Sequence, residues 1–292
     1  MKKLFTLLLT VIMSMVAVFA VGCTPEEETE SYYFGKELLR YDSQLDTLPK
    51  LVNDDIDVAI IDSVMAGYYC KTGNYANQIA IVEDLVLAQE KYGIAGRKND
   101  KAFVSKINEA LIALAETRYE EIGADYGLTD SLCLDNETAN PLESATDNSW
   151  NEIVNSGKIV IGYTIFAPIC YDVVDDVPTK GFDIDLAKAV VAYLNQKYSV
   201  SLDVEFLLID WDNKEVDLAN DNIDLIWNGL TITDERANAM CISVPYLNNN
   251  QVAVVLKSNL SMYSDAGKIL VNMNKAVIGV EKGSAGESVV LK

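Results

Sequence analysis

Not one of the 292 residues is a histidine. That absence removes histidine-dependent triads and every histidine-ligated metal centre. Basic residues are also scarce: 23 Lys and Arg stand against 44 Asp and Glu, for a formal net charge of −21. Affinity for nucleic acid needs clustered Lys and Arg to meet the phosphates, so that partner class is excluded. The five cysteines lie far apart with no CxxC pair. A zinc site is therefore not expected, and neither a metal nor a cofactor is called for.

What is present begins with a targeting segment. Lys2 and Lys3 open the chain, and Leu4–Ala20 runs without a charge. By length alone that run approaches a membrane span. Ala20-Val21-Gly22 leads into Cys23, followed by Thr24-Pro25-Glu26-Glu27-Glu28. These residues resemble a bacterial lipoprotein signal. The resemblance implies that 1–22 are removed and that Cys23 carries lipid. Residues 23–31 then tether the protein to the extracytoplasmic face of the cell membrane. Half of the residues are hydrophobic, enough for the cores of two ordinary domains. Disulfides among Cys70, Cys133, Cys170 and Cys241 are permitted in that compartment but not indicated.

Apolar periodicity divides the rest. Leu38–Tyr41 reads as a strand, and Gln44–Asn53 as a helix burying Leu45, Leu48 and Val52. Ile56–Ile61 is a continuous apolar run, as in a strand covered on both faces. Ser63–Cys70 reads as helix and Tyr92–Arg97 as a short strand. Asp100 is a candidate N-cap for a helix carrying Phe103, Ile107, Leu111 and Leu114. Thr129–Asn148 is polar, contains Pro141, and reads as a linker. Beyond it come a helix at Trp150–Asn155, a strand at Lys158–Tyr163, and a helix at Asp183–Lys197. Strand Val204–Leu208, helix Asn213–Asn220 and strand Ile223–Trp227 follow, then extended chain at Gln251–Lys257. Strand Lys275–Val280 and a helix from Ser284 come last. Alternation of this kind predicts an α/β fold with parallel-rich sheets and helices on both faces. No internal repeat is evident.

The stretch Asp224–Arg236, DLIWNGLTITDER, carries the sharpest chemistry. A buried strand ends near Trp227, and Asn228-Gly229 lets the backbone turn at its carboxyl end, where open α/β sheets bind ligands. Thr231 offers a hydroxyl and Arg236 a planar fork of donors suited to a carboxylate. An isolated Arg would be read as a solvated helix charge. This one is not isolated. IVIGYTIFAPICY at 159–171, GFDIDLAKAV at 181–190, IDWD at 209–212 and IDLIWNGLTITDER at 223–236 resemble the type II periplasmic (extracytoplasmic) solute-binding proteins, family 3, of ABC amino-acid importers. VPYLNNNQVAVVLK at 244–257, VIGVEKGSAGE at 277–287, DDIDVAIIDSVMAGYY at 54–69 and YGIAGRKND at 92–100 extend the likeness over nearly all the chain outside signal and linker.

The order departs from the family. Its first half falls at 150–292 and its second at 32–128, as in a circularly permuted periplasmic-binding-protein-like fold whose old termini are bridged by 129–149. The likeness implies a larger lobe from 98–128 and 150–250 and a smaller lobe from 32–90 and 258–292. Hinge strands at 91–97 and 251–257 would join them. A fragment of a tandem array, or two chains exchanging halves, is the alternative arrangement.

Site residues carry over by motif. Arg236 and Thr231 would hold the α-carboxylate of a free amino acid, with Asn228 and Gly229 against its α-carbon and Ser284 and Ala285 adding NH donors. Ser284…Glu287 also has capping-box spacing. Asp62 would accept the α-ammonium, the alternative being a cap for the helix at Ser63. Phe166 and Trp211 would sandwich the side chain and Tyr163 would line its pocket, although such aromatics often belong to cores. The Tyr163 position lacks a carboxylate, and no extra Lys or Arg appears near the pocket motifs. A polar, uncharged amino acid (glutamine-like, or cystine) is expected, passed to a membrane permease after hinge closure. An amino-acid-sensing module, or a dehydratase on the same fold, are the other readings. For the enzyme, no spare acid–base pair is evident beside Asp62.

Overall fold

The computed structural model describes residues 34–265 and 267–291. The signal 1–22, Cys23 and the tether 23–31 lie outside the described residues. Eleven strands are described: β1 Glu37–Tyr41, β2 Val58–Asp62, β3 Ile79–Gly96, β4 Lys158–Tyr163, β5 Tyr171–Val174, β6 Val177–Lys180, β7 Asp203–Leu208, β8 Leu225–Thr231, β9 Cys241–Ile242, β10 Leu247–Leu256 and β11 Val277–Glu281. Among the described residues, nine form one sheet in the order β1-β11-β2-β10-β3-β8-β4-β7, with β9 added to β3.

The sheet is mixed overall, with the expected parallel strands in its arms. Its two arms are parallel: β1, β11 and β2 at one end, and β8, β4 and β7 at the other. In the middle, β10 runs antiparallel to both β2 and β3, and β3 antiparallel to β8. These two strands carry the chain between the arms, so they must run against their neighbours. β3 is 18 residues long, not the short Tyr92–Arg97 segment. Its first part, IAIVEDLVLAQEK, has no clean alternation. It is held extended by pairing with β10 from Ile79 to Tyr92, with register shifts around Val252.

Alternation explains why the buried strands read as unbroken apolar runs. In β2, Ala59 and Ile61 enter one core while Val58 and Ile60 enter another, and β10 splits Val252 and Val254 from Ala253 and Val255 in the same way. The first core runs along one face past both arms, under the helices Lys101–Leu114 and Phe182–Tyr198. In the helix Gln44–Val52 the buried face is Gln44, Thr47, Leu48 and Leu51, so Leu45 and Val52 sit at its margin.

Three elements depart from periodicity. Asp175 and Asp176, both at positive φ, turn the hairpin β5–β6. The helix expected to run on from Asp100 carries a π-turn at Ala115–Tyr119 before Glu120–Asp125. The polar stretch 129–149 is fastened rather than loose. Leu132 bridges to Leu247, Leu134 is buried, and Tyr119 Oη accepts from Cys133 N at 3.0 Å. Asn140 Nδ2 donates to Ser105 O at 3.0 Å. Asp100 makes no capping bond with its side chain. Instead Asp147 accepts from Ala102 N (2.8 Å) and Ser149 Oγ from Phe103 N (2.9 Å), so the stretch caps the helix from outside.

Candidate functional site

A cleft between the arms is lined by Gln44, Asp62, Met65, Glu281, Ser284 and Ala285 from one side. Thr164, Ile165, Phe166, Trp211, Asn228, Gly229, Thr231 and Arg236 line it from the other. The cavity between them is about 20 Å³, room for one water molecule, so a small organic ligand enters only if the arms part. Of the residues singled out from sequence, all but Tyr163 meet here, with Cys23 outside the described residues.

Arg236 is 9% exposed. Thr233 caps its short helix, with Oγ1 accepting from Arg236 N at 3.2 Å, and this aims the side chain back across the strand end. Its Nη1 donates to Thr231 O at 2.9 Å and its Nη2 to Gly283 O, across the cleft, at 3.2 Å. Burial works against its charge, while Glu215, Glu90 and Asp62 support it. A guanidinium already bonded to carbonyls and facing a cavity can exchange the weaker of them for a carboxylate.

Asn228-Gly229 is shaped by what lies behind it. Gly229 has φ +66°, and a Cβ there would stand 2.6 Å from Phe166 Cε1. Its N–H donates to buried Asp183 Oδ2 at 3.0 Å, which also accepts from Tyr246 Oη at 2.8 Å. The Asn228 amide pairs with Thr164, its oxygen accepting from Thr164 N (3.2 Å) and its nitrogen donating to Thr164 O (3.2 Å). The backbone is therefore presented to the cleft while the side chain is occupied.

Asp62, at the end of β2, is 4% exposed and makes no capping bond to the helix Ser63–Tyr69. Three carboxamides hold it: Gln44 Nε2, Asn249 Nδ2 and Gln251 Nε2, the last at 2.6 Å. Burial first, then Glu90, push its carboxyl up to about 7, against those hydrogen bonds. Thr231 Oγ1 donates to Glu90 Oε2 at 3.0 Å, so its proton points away from the cleft. Ser284 Oγ accepts from Glu287 N at 3.1 Å, and Glu287 Oε2 accepts from Gly283 N at 2.7 Å. Ser284 is thus both cap and lining residue. Phe166 and Trp211 are 5% and 6% exposed, and both line the cleft.

Tyr163 does not reach it. On β4 it shares a face with Ile159 and Ile161. It is fully buried against Cys170 and Ile184, edge-on to Phe206, with its hydroxyl donating to Asp176 O at 3.0 Å. The loop after β4 supplies Thr164 and Ile165 instead.

Several functional neighbours escaped the sequence reading. Glu281 lines the cleft at 5% exposure, and burial, then Asp62, push it up to about 8. A charged residue closing the buried strand VIGVE was the available signal. Lys214, two residues beyond the motif IDWD, is a basic residue beside the cleft. It is 4% exposed, donates to Trp211 O (3.0 Å), and lies 4.8 Å over the Trp211 ring. Burial and then Arg236 lower its pKa to about 8. Nothing in its helix pattern marks it as buried. Among the described residues, no group of His, Cys, Asp or Glu could hold a metal ion. The cysteines Cys70, Cys133, Cys170 and Cys241 are free thiols.

Comparison with known proteins addresses what such a cleft belongs to. A model of the bacterial extracellular solute-binding proteins, family 3, matches residues 159–285. A protein of Neisseria gonorrhoeae described as a probable histidine-binding protein is 36% identical over 113 residues, 39% of this chain and 38% of that one. The cyclohexadienyl dehydratase of Pseudomonas aeruginosa is 25% identical over 126 residues, 43% of this chain and 44% of the enzyme. An ABC uptake transporter substrate-binding protein from Streptococcus pneumoniae, crystallised with bound histidine, is 38% identical. That match covers 32% of this chain and 36% of that one, with a TM-score of 0.27. The chain thus spans about two fifths of the length of the curated relatives it matches. The fold is α/β, and residues 159–285 match the model of the bacterial extracellular solute-binding proteins, family 3.

Proposed function

We propose that the protein captures a free amino acid between its two arms, as the extracytoplasmic receptor of an ABC importer. The observation that carries this reading is the meeting of Arg236 and Asp62, from opposite arms, in one buried cleft. A zwitterion offers each the opposite charge, so ligand stabilises the closed arrangement from both sides. The larger lobe would be 98–128 with 150–250 and the smaller 32–90 with 258–292, hinged on β3 and β10. The placement of β11 between β1 and β2 supports a circularly permuted order. A lipid on Cys23 would anchor the protein beside its permease.

For the ligand's side chain we retain a polar, uncharged group such as a carboxamide, on new grounds. Tyr163 is outside the cleft and Lys214 is near it, so neither residue by itself selects an uncharged ligand. Glu281, whose carboxyl burial pushes up to about 8, sits with Gln44 in the lining. A carboxylic acid and a carboxamide both donate and accept, which suits an uncharged polar partner. Calorimetry at pH 7 against the twenty amino acids and cystine tests this reading. L-glutamine or cystine is expected to bind more tightly than L-lysine or L-arginine, and a preference for the cationic pair would overturn the side-chain assignment. Arg236→Ala should weaken binding by roughly 2–5 kcal/mol, the loss typical of a buried charge partner. Unchanged affinity would overturn the site.

A second reading has one observation in its favour. Asp62 and Glu281 are two buried carboxyls in one cleft with raised pKa values, the acid–base pair the sequence did not offer. An enzyme acting on a carboxylate substrate would consume what it binds. Proton NMR of each bound amino acid after prolonged incubation separates the cases: receptor action returns it unchanged.

A further inference from the structure

The amino-acid reading uses the two ends of the cleft, Arg236 with Thr231 and Asp62, and leaves unexplained a carboxylate lying behind both. Glu90 sits on β3, in the stretch that crosses between the arms, and does not line the cleft. Its Oε2 accepts three hydrogen bonds, each at 3.0 Å: from Thr231 Oγ1, Asn249 Nδ2 and Gln251 Nε2. The same two carboxamide nitrogens donate to Asp62 Oδ1. An NH₂ group has two hydrogens, so each amide can serve both carboxylates at once. Asn249 and Gln251 are fully or nearly fully buried on β10, and the register of β10 against β2 sets Gln251 opposite Asp62.

We propose that Glu90 is a positioning residue that joins the two ends of the amino-acid site, orienting the Thr231 hydroxyl on one arm and, through Asn249 and Gln251, the Asp62 carboxyl on the other.

Two consequences follow from charge and geometry. The Thr231 hydroxyl donates to Glu90 and so meets an incoming carboxylate with its lone pairs, leaving recognition of that group to Arg236 and nearby NH donors. The Glu90 anion also opposes ionisation of Asp62, which must be ionised to receive an ammonium. The other groups acting on Asp62 are Glu281 from β11, Tyr92 from β3, Arg236 from its helix, and the carboxamides of Gln44, Asn249 and Gln251. Glu90 shares the Asn249 and Gln251 carboxamides with it.

The test rests on the amino-acid reading only in its second half. First, the Asp62 carboxyl carbon is titrated by NMR, without added amino acid, in the wild type and in Glu90→Gln. Removing the neighbouring charge should move the Asp62 midpoint to lower pH, and an unmoved or raised midpoint overturns the proposal. Glu90→Met, apolar and of similar size, takes its place should the Gln variant fail to fold, with the same expectation. Second, L-glutamine affinity is followed from pH 5.5 to 8.5. The ratio of Glu90→Gln to wild-type Kd should be smaller at the acidic end, by up to about threefold for a half-unit shift in midpoint. A ratio constant with pH signals a merely structural residue and overturns the proposal. Failure of the wild type to bind any amino acid would instead refute the function proposed above, while the Asp62 titration still decides the role of Glu90.

Discussion

At the residue scale the cleft is organised by carboxyls that burial keeps from ionising easily. Asp62 and Asp183 are pushed up to about 7 and Glu281 to about 8, with desolvation the leading cause in each. The folded-state values lie above those of the unfolded chain, so the native state holds more protons and stability falls as pH rises. Their favourable contribution is complete near the ordinary carboxylate range and is lost on passing pH 7 to 8. Urea unfolding at pH 5 and pH 8.5 should show the protein weaker at the higher pH by at least about 2 kcal/mol. Glu281→Gln should flatten that slope, and an equal slope in the variant would show that Glu281 ionises freely in the folded protein. These carboxyls were only partly legible in sequence. Asp62 stood out at the end of an apolar strand, whereas Asp183 and Glu281 look like ordinary helix and strand termini until the elements around them are packed.

At the element scale, ends and caps mattered more than periodicity foresaw. The helix Lys101–Leu114 has an aspartate in its own capping position, yet its free N–H groups are met by Asp147 and Ser149 from the polar stretch before the next helix. Asp147→Ala should therefore destabilise the protein by about 1 kcal/mol in chemical denaturation. Asp100→Ala, which removes a 3.6 Å contact to the Arg97 guanidinium and no bond to the helix N–H groups, should cost less. The reverse order of effects would contradict the capping assignment. Strands with strict apolar runs, β2 and β4, were placed from sequence to within a few residues because both of their faces are buried. The first half of β3 was not, because its pattern is ambiguous and only the partner strand β10 holds it extended.

At the scale of the whole molecule, segments remote in sequence share one sheet. β11 lies between β1 and β2, so residues 277–281 pair with both 37–41 and 58–59. If the order is a permutation, the same contacts should form in a chain that reads 150–292 followed by 32–128. Such a reordered protein should match the original in circular dichroism and bind the same amino acid within about threefold in affinity. A reordered chain that folds but binds nothing would mean that the contacts of 129–149, lost in it, also shape the cleft. Small-angle scattering should also register a smaller radius on binding if β3 and β10 act as the hinge.

Some properties were determined by sequence alone: the α/β class, the buried strands, the motif residues Arg236, Asp62, Asn228, Gly229 and Thr231, and the exclusion of histidine chemistry. Each rests on local pattern or on residue type, which survive without knowledge of neighbours. Tertiary structure alone decided that Tyr163 belongs to a core, that Lys214, Glu281 and Glu90 stand at or behind the cleft, and that the sheet is continuous. Those outcomes depend on which faces meet and how far each group is removed from water. Burial and partner choice are properties of pairs of segments, and no single stretch of this chain contains them.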